Sequence, residues 1–326
     1  MNLVDMKTTQ QSFFNKIFLK FKPGTLKSKV VLQKSKKYAS YSIVYYLLVL
    51  ISFVFLYPIF YMITYSLMNV SDLVNPLINW IPSQLYIGNY IAAAQVLNFF
   101  PALLETLYVT AVPAIVQTAA ASVIGYGFAR FRIPGKKLLI ALVLFTFVIP
   151  PQVTMIPQFL MYRDLGLIGS TLSFILPAML GQGIRSTIFI LIFYQFYRNV
   201  PKSLEEAAKI DGSNALGVFL FIAIPAVVPA FIISFLFSFV WYWNETTLAS
   251  IFFGDSISTL LMRLQRFSIL YERLRSADPN FQVGRHINEA INMAGTLLNI
   301  LPLLIVYFFT QRWFVESIDR TGITGE

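Results

Sequence analysis

Six long apolar runs, separated by short polar stretches, restrict what this chain can fold into. They extend over about 41–67, 102–128, 138–160, 171–196, 215–243 and 287–311. Each run is long enough to cross a hydrocarbon layer of about 30 Å as an α-helix, and none shows the alternation of a barrel strand. Charged residues make up 12% of the chain, about half of their share in a soluble domain. The sequence therefore predicts an all-α integral membrane protein with six transmembrane helices.

The positions of the basic residues predict how the chain crosses the membrane. Residues 1–40 contain nine lysines and one acidic residue, whereas residues 68–102 contain no Lys or Arg. Because basic loops stay in the cytoplasm, we expect both termini to be cytoplasmic and 68–102 to be external. The last external region, 244–286, carries five arginines against this rule, but long loops of mixed charge weigh less than short ones.

Residues 1–40 are predicted to be a cytoplasmic basic leader, followed by a six-span domain at 41–326. Large apolar side chains fall on one helical face of this leader: Phe13, Phe14, Ile17, Phe18 and Phe21. The pattern has two interpretations. It is a short interfacial helix on an anionic leaflet, or it belongs to a disordered leader that only enforces the topology.

The polar stretch 197–214, between the fourth and fifth runs, has a pattern of its own. Ser203, with Glu206 three positions later, has the spacing of a capping box and predicts the start of a short helix. Gly212 stands where a helix ends in a left-handed residue, and the Ser-Asn pair at 213–214 gives a second start signal. The stretch therefore predicts a short, water-exposed helix that a glycine turn joins to a membrane helix.

Spaced residues in and after this stretch resemble the EAA loop of ABC importer permeases. They are Glu206-Ala207-Ala208, then Gly212 and, nine residues later, Ile222-Ala223-Ile224-Pro225. The only departure from the family pattern is Ile224 in place of Leu, which conserves volume. The wider form, with Glu205 and Ile210-Asp211, resembles the carbohydrate branch, the maltose-type binding-protein-dependent permeases. The alternative is an ordinary helical connector between two spans.

The resemblance implies a type I ABC importer permease fold in which the short helix is a coupling helix that docks on a cytoplasmic ATPase subunit. The residues expected to couple to the ATPase are Leu204, Glu205, Glu206, Ala207, Ala208, Asp211 and Gly212. The implied partners are a second, homologous permease subunit, two ATPase subunits, an extracytoplasmic solute-binding protein and membrane lipid. The implied location is a bacterial cytoplasmic membrane.

The sequence predicts neither a cofactor nor nucleic-acid binding for this chain. It has no GxxxxGK[ST] motif for a nucleotide phosphate, so ATP and Mg are expected on the partner ATPase subunits. It also lacks HExxH and GxSxG motifs. Its single histidine cannot form a histidine metal cluster and has no plausible catalytic triad. The net charge of +10 does not indicate nucleic acid, because the basic residues flank the apolar runs.

Prolines predict irregular helices in two of the runs. Pro225 and Pro229 lie one turn apart near the cytoplasmic end of the fifth run. Each removes a backbone donor and clashes with the preceding turn, so we expect a bend, which is either a hinge or a static kink. The outer half of the third run contains Pro150, Pro151 and Pro157 and is not expected to be straight.

A polar stripe in the sixth run is a candidate for the substrate path. Asn288, Asn292 and Asn299 recur with Gly295 at helical spacing. Polar groups in a membrane helix face the bundle interior or water. These amides either line the path or join helices through hydrogen bonds.

Arg185, Asn244 and Glu245 are further candidates for the substrate path. Arg185 is the one basic residue deep inside a run, and it either meets substrate or has a structural role at a helix break near Gly181. Trp243-Asn244-Glu245 resembles a segment of carbohydrate permeases, and it also fits an interfacial aromatic belt.

These features together predict a non-catalytic permease subunit of a bacterial ABC importer that moves a sugar or oligosaccharide into the cytoplasm. The alternatives are a stand-alone secondary transporter and an ABC permease for a non-sugar solute. The coupling stretch argues against the first alternative. The sequence does not identify the sugar.

Overall fold

The computed structural model describes residues 24–78, 80–277 and 288–320, and all regular structure in these ranges is helical. The helices are, in chain order, α1 (Gly24–Ser66), α2 (Val70–Val74), α3 (Gly88–Leu97), α4 (Phe99–Arg130), α5 (Lys136–Val148), α6 (Pro151–Asp164), α7 (Leu172–Met179), α8 (Ser186–Asn199), α9 (Lys202–Ile210), α10 (Ala215–Val218), α11 (Ile224–Ala226), α12 (Val228–Asn244), α13 (Thr247–Phe253), α14 (Leu260–Gln265), α15 (Phe267–Ala277) and α16 (Glu289–Arg320). A π-helical turn, Phe219–Ala223, lies between α10 and α11.

The chain divides into two compact units, Met1–Tyr61 and Met62–Glu326. The described part of the first unit belongs to α1, which begins at Gly24, inside the predicted leader of residues 1–40. Helical structure therefore starts well before the apolar run. The interfacial helix proposed for residues 13–21 lies outside the described residues.

Three helical segments of the described chain are long and apolar enough to cross a membrane without a break. They are Tyr41–Ser66 in α1, Phe99–Arg130 in α4 and Glu289–Arg312 in α16. Two bent helix pairs raise the number to five if each pair is one span. The fourth predicted run is divided into α7 and α8, with no helix from residue 180 to 185. The count of six spans therefore stays a prediction.

The third run is broken, as its prolines predict. The axes of α5 and α6 are bent by 95°. Ile149 and Pro150 have extended backbone conformations between the two helices, and Pro151 opens α6. A proline at the first helical position needs no intrahelical donor, so α6 begins here without a lost hydrogen bond.

The fifth run is bent by 76° between its two halves, Ala215–Ala226 and Val228–Asn244. The bend is at Val227, whose backbone leaves the helical region, with Pro225 before it and Pro229 after it. The π-helical turn Phe219–Ala223 loosens the same run one turn earlier. The predicted bend is confirmed, and its use as a hinge stays a prediction.

Helix α4 is the centre of the second unit, where it packs against α7, α8 and α12. It approaches α8 closely at Gly125. A methyl group at this position would lie 2.6 Å from Cβ of Phe193 and 2.8 Å from the backbone nitrogen of Tyr194. Only glycine allows these two backbones to come so close.

The region predicted to be external, 244–286, includes α13, α14 and α15. These helices pack against α3, α4, α6 and α16. The backbone N–H of Leu260 donates to Oγ1 of Thr106 on α4 at 2.8 Å, which anchors α14. Tyr271 of α15 is fully buried, and burial raises the pKa of its hydroxyl. The described part of this region, residues 244–277, is therefore a packed helical layer.

We predict that Gly125→Ala lowers the thermal unfolding midpoint of the purified protein in detergent. The added methyl group must push α4 from α8, which costs about 1–3 kcal/mol in an overpacked core. Gly127→Ala is the matched control, because the nearest atom to a methyl group there is Cδ2 of Phe131 at 3.9 Å. That control is expected to be neutral or stabilising, since glycine weakens a helix interior. Equal midpoints for the two variants would contradict the prediction.

Candidate coupling helix and transport cleft

The short helix α9 begins two residues earlier than the capping box predicts. Its first residue is Lys202, and Pro201 occupies the N-cap position without a side-chain hydrogen bond. The prediction that Ser203 is the N-cap is therefore wrong. The physical reason is Pro201, whose backbone is extended, so the turn of the chain falls there and Ser203 is already inside the first helical turn.

The end of α9 is as predicted. Gly212 has φ of +89°, its N–H donates to the carbonyl of Lys209 at 3.1 Å, and the N–H of Ser213 donates to that of Ala208 at 2.9 Å. These two bonds make a Schellman motif, which requires a left-handed residue. Oδ1 of Asn214 then accepts from the N–H of Gly217 at 2.7 Å and starts α10, which confirms the second start signal.

Helix α9 has an exposed apolar face. Leu204 is 51% exposed and Ile210 is 86% exposed, and Ala207 between them is also exposed. Their spacing of three residues puts them on one side of the helix. Glu206 and Asp211 are exposed as well. This apolar face, Leu204-Ala207-Ile210, is the surface that α9 offers to another protein.

The opposite face of α9 is buried through Glu205, which is 5% exposed. Its Oε1 lies 2.5 Å from Nε of Arg130, at the end of α4. Nη2 of Arg130 also donates to the carbonyl of Val200 at 2.9 Å, and the Tyr126 hydroxyl donates to Oε2 of Glu205 at 3.3 Å. Ala208 is buried on the same face. The sequence groups Glu205 and Ala208 with the ATPase contacts, but the structure turns both side chains inward.

Aromatic rings enclose this ion pair and extend its contacts to the bent fifth run. The ring of Tyr126 lies 5.1 Å from that of Tyr197 on α8 and 4.8 Å from that of Phe219 in the π-helical turn. The Tyr197 hydroxyl is hydrogen-bonded to Oγ of Ser122 at 2.8 Å. The end of α4 is thus connected to α8, to α9 and to the irregular turn of the fifth run.

A cleft of about 910 Å³ lies at the two helix breaks. Its walls are the α5–α6 break, the α7–α8 break, the end of α12 and part of α13. The polar side chains that line it include Gln152, Gln158, Gln182, Arg185, Ser186 and Glu245. Amides, a hydroxyl and aromatic rings such as that of Phe174 share this wall, which suits a ligand with both polar and apolar faces.

A hydrogen-bond network holds the α7–α8 break in place. Nε2 of Gln117 on α4 donates to the carbonyl of Ile184 at 2.8 Å, and the Tyr242 hydroxyl on α12 donates to Oε1 of Gln117 at 2.7 Å. The N–H of Ile184 donates to the Tyr242 hydroxyl at 3.3 Å. A methyl group on Gly183 would lie 2.5 Å from that hydroxyl, so the network leaves no room for a side chain. We call Gln117, Tyr242 and Ile184 the break network.

Two of the predicted path residues, Arg185 and Glu245, line the cleft. The Arg185 guanidinium lies over the ring of Trp241, 5.0 Å from its centroid. Oε1 of Glu245 accepts from the N–H of Leu248 at 2.9 Å and so starts α13. Asn244 is exposed, and its amide donates to the carbonyl of Val240 at 2.8 Å. It is not in the cleft wall.

The asparagines of α16 lie away from the cleft. Oδ1 of Asn288 accepts from the N–H of Ile291 at 3.0 Å and starts the helix, beside a separate pocket of about 250 Å³. Asn292 is half-buried. Asn299 is buried, and its Oδ1 has no hydrogen-bond partner among the described residues.

Sequence reasoning missed Gln117 and Tyr242. Gln117 is a lone amide in an apolar run, which is the same signal that selected the asparagines of α16. Tyr242 was hidden among neighbouring aromatic residues that fit an interfacial belt. The pairing of Arg130 with Glu205, 75 positions apart, left no signal in the sequence.

Residues 121–320 match the family described as "Binding-protein-dependent transport system inner membrane component". Because the match covers more than half of the chain, this protein belongs to that family. It is thus a multi-pass, non-catalytic permease subunit of an ABC transport system, and the predicted all-α type I permease fold is confirmed. Membership also implies ATPase and solute-binding partners.

Two relatives and one solved structure illustrate the similarity. A polygalacturonan/rhamnogalacturonan transport permease of Bacillus subtilis (strain 168) is 29% identical over 286 residues, which cover 87% of this chain and 97% of the relative. An osmoprotective compounds uptake permease of Synechocystis sp. is 28% identical, covering 72% and 74% of the two chains. The crystal structure of a bacterial ABC transporter for alginate import contains a chain with a TM-score of 0.71 at 22% identity, covering 85% of this chain and 97% of that one. This chain and the chain of the alginate transporter therefore have the same fold.

We predict that Glu205→Ala lowers the stability of the protein by about 3–5 kcal/mol, because it leaves the buried Arg130 charge without its partner. Glu206→Ala is the matched control on the next, exposed residue and is expected to stay within about 0.5 kcal/mol of the parent. The measurement is the thermal unfolding midpoint in detergent.

A double variant tests the cause of that loss. Arg130→Met combined with Glu205→Leu removes both charges and is expected to recover most of the stability, because apolar replacements of a buried pair are often neutral. If the double variant is no more stable than Glu205→Ala, an unpaired charge is not the reason for the loss.

Proposed function

We propose that this chain is the permease subunit of a bacterial ABC importer that moves a sugar or oligosaccharide into the cytoplasm, driven by ATP hydrolysis on separate subunits. The observation that carries the importer mechanism is α9, which exposes an apolar face and is fixed to the membrane helices by a buried ion pair. The sugar class is supported by the polygalacturonan/rhamnogalacturonan relative and by the amide and hydroxyl groups of the cleft.

Two helices connect α9 to the cleft. The Glu205–Arg130 pair passes a displacement of α9 to α4, and Gln117 lies thirteen residues up the same helix, about 20 Å away. The second connection runs through the Gly212 turn and the bend at Val227 into α12. Tyr242, in the last turn of α12, lines the cleft. Both connections meet in the break network, at the wall of the cleft.

The two connections differ in stiffness. From Gln117 to Arg130, α4 is an uninterrupted helix, whereas the fifth run has a π-helical turn and a 76° bend. Irregular turns of this kind are common at functional sites. When the ATPase subunits move α9, α4 follows as a rod and the fifth run flexes, so that the cleft wall changes shape. This assigns the hinge to the segment around Pro225 and Pro229.

The proposed assembly contains a second, homologous permease subunit, two ATPase subunits and an extracytoplasmic solute-binding protein. ATP and Mg are held by the ATPase subunits. The helical layer of residues 244–277 faces the solute-binding protein, and both termini lie in the cytoplasm. The protein resides in a bacterial cytoplasmic membrane.

Transport of a non-sugar solute is the second candidate function, favoured by the relative that takes up osmoprotective compounds. The coupling mechanism is the same for both cargoes. The test is to purify the complete importer with its solute-binding protein and to measure ATP hydrolysis with trigalacturonate, arabinotriose, maltose and glycine betaine. Stimulation by a saccharide supports the proposal. Stimulation by glycine betaine alone overturns the sugar assignment, and a chain that purifies without an ATPase subunit overturns the importer assignment.

We predict that Gly212→Asp and Glu206→Lys leave the protein inserted in the membrane but abolish copurification of the ATPase subunits or transport. The first change puts a side chain on a left-handed residue, at about 1–2 kcal/mol, and distorts the Schellman turn. The second reverses an exposed charge beside the apolar face of α9. Normal copurification and uptake in both variants would rule out this role.

Gly135→Asp is the matched control for Gly212→Asp. Gly135 lies in the predicted cytoplasmic turn before α5, has φ of +69° and has no atom within 4 Å of an added Cβ. The Gly135→Asp variant therefore has the same kind of backbone strain as Gly212→Asp and adds the same charge at a position away from α9. This control is expected to keep both the ATPase subunits and transport.

A further inference from the structure

We infer that the α7–α8 break is an anion-binding subsite of the cleft, which makes a carboxylated saccharide the preferred cargo. The subsite consists of Arg185, Ser186 and the N-terminal end of α8. The inference rests on the proposed sugar-import function and adds the charge of the cargo to it.

Arg185 holds its guanidinium at the cleft in an unusual backbone conformation. Its φ is +54°, and Asn98 is the only other non-glycine residue of the described chain with a positive φ. Asparagine is tolerated there, whereas arginine pays a steric cost. Strain of this kind concentrates at ligand-binding positions.

The guanidinium of Arg185 is positioned but unpaired. The central carbon of this exposed group lies over the ring of Trp241, 5.0 Å from its centroid, and an arginine in such a contact can still donate from its N–H edge. No hydrogen bond or ion pair joins this group to another of the described residues. A planar donor edge beside an open cleft matches the two oxygens of a carboxylate.

Ser186 provides a second, independent observation. It is 4% exposed, it lines the cleft, and its Oγ has no hydrogen-bond partner among the described residues. A buried hydroxyl without a partner is costly, and among the four side-chain atoms of this kind in the described chain that of Ser186 is the one whose residue lines the cleft. Ser186 is also the first residue of α8, which has 14 residues, and the N-terminal end of a helix favours an anion.

The break network makes this subsite rigid. Gln117 and Tyr242 bind the carbonyl and the N–H of Ile184, the residue before Arg185, and so restrain the backbone beside the subsite. Gly183 leaves no space for a side chain that would loosen this packing. A subsite held in its binding geometry loses little entropy when the ligand arrives.

Glu245 limits which anion fits. Its carboxylate lines the same cleft and forms no ion pair with Arg185. One cation and one anion in a shared cleft disfavour a dianionic phosphate ester more than a monoanionic carboxylate. Because an ionised carboxylate is an acceptor only, Glu245 suits the hydroxyl groups of the same sugar. A uronate, which carries a carboxylate and hydroxyls, satisfies both side chains.

The test is uptake by the complete importer, reconstituted in liposomes with its solute-binding protein. The cargo probes are trigalacturonate, its neutral methyl ester, and galactose 6-phosphate as a phosphate-bearing sugar. Each is measured with the parent protein and with Arg185→Gln, Arg185→Lys and Ser186→Ala. The matched control is Arg163→Gln, an exposed arginine paired with Asp164 outside the cleft.

We expect Arg185→Gln to lower trigalacturonate uptake by about tenfold or more, the range of one charge-assisted hydrogen bond, and to leave uptake of the methyl ester unchanged. Arg185→Lys restores part of the loss, since it keeps the charge but not the planar edge. Ser186→Ala has a smaller effect of the same selectivity, and Arg163→Gln has none.

Three results would overturn the subsite. The first is an equal loss for charged and neutral cargo in Arg185→Gln, which makes Arg185 a structural residue. The second is a parent protein that transports the neutral methyl ester but not trigalacturonate. This result overturns the anion-binding subsite but not the proposed sugar import. The third is Arg185-dependent uptake of galactose 6-phosphate without uptake of trigalacturonate. A parent protein that moves no saccharide, in contrast, overturns the proposed function itself.

Discussion

The buried ion pair between Arg130 and Glu205 determines where α9 lies. Moving two charges out of water costs several kcal/mol per ion, and their attraction offsets this only when further hydrogen bonds complete both groups. Here the carbonyl of Val200 accepts a hydrogen bond from the guanidinium, and the hydroxyl of Tyr126 donates one to the carboxylate. Because α9 cannot slide along α4 without breaking this arrangement, the apolar face on its other side is held in a fixed register. In the proposed mechanism, an ATPase subunit that binds that face moves the membrane helices with it.

The amphipathic design of α9 separates two tasks that the sequence motif presents together. The motif joins glutamates and alanines in one run, but helical spacing distributes them over two faces. Leu204, Ala207 and Ile210 face outward, whereas Glu205 and Ala208 face α4. The alanine on the inner face allows close approach, and the glutamate fixes the register. In the proposed coupling role, recognition of the partner and attachment to the membrane helices thus use opposite sides of the nine residues of α9.

Much of this fold was predictable from local chemistry, and most of the site was not. Apolar runs, Gly212 and the prolines of the third and fifth runs act over a few residues, so the helical class, the end of α9 and both bends follow from the sequence. The start of α9 was misplaced because Pro201 competes with Ser203 for the turn. The Arg130–Glu205 pair and the break network join residues 58 to 125 positions apart. Such contacts depend on which helices meet, and local sequence does not encode that choice.

The interruption of the fourth run has a physical reason that connects it to the cleft. Non-helical backbone at membrane depth is tolerated only where it is buried in protein or lines a water-filled cavity, because lipid cannot satisfy its polar groups. The segment between α7 and α8 lines the cleft. Ile184 gives its N–H and its carbonyl to the break network, while Arg185 and Ser186 turn to the cleft. A continuous helix here would satisfy its own backbone and present no free N-terminal end to a ligand. The break therefore interrupts the fourth apolar run and gives the cleft a polar, hydrogen-bonded wall.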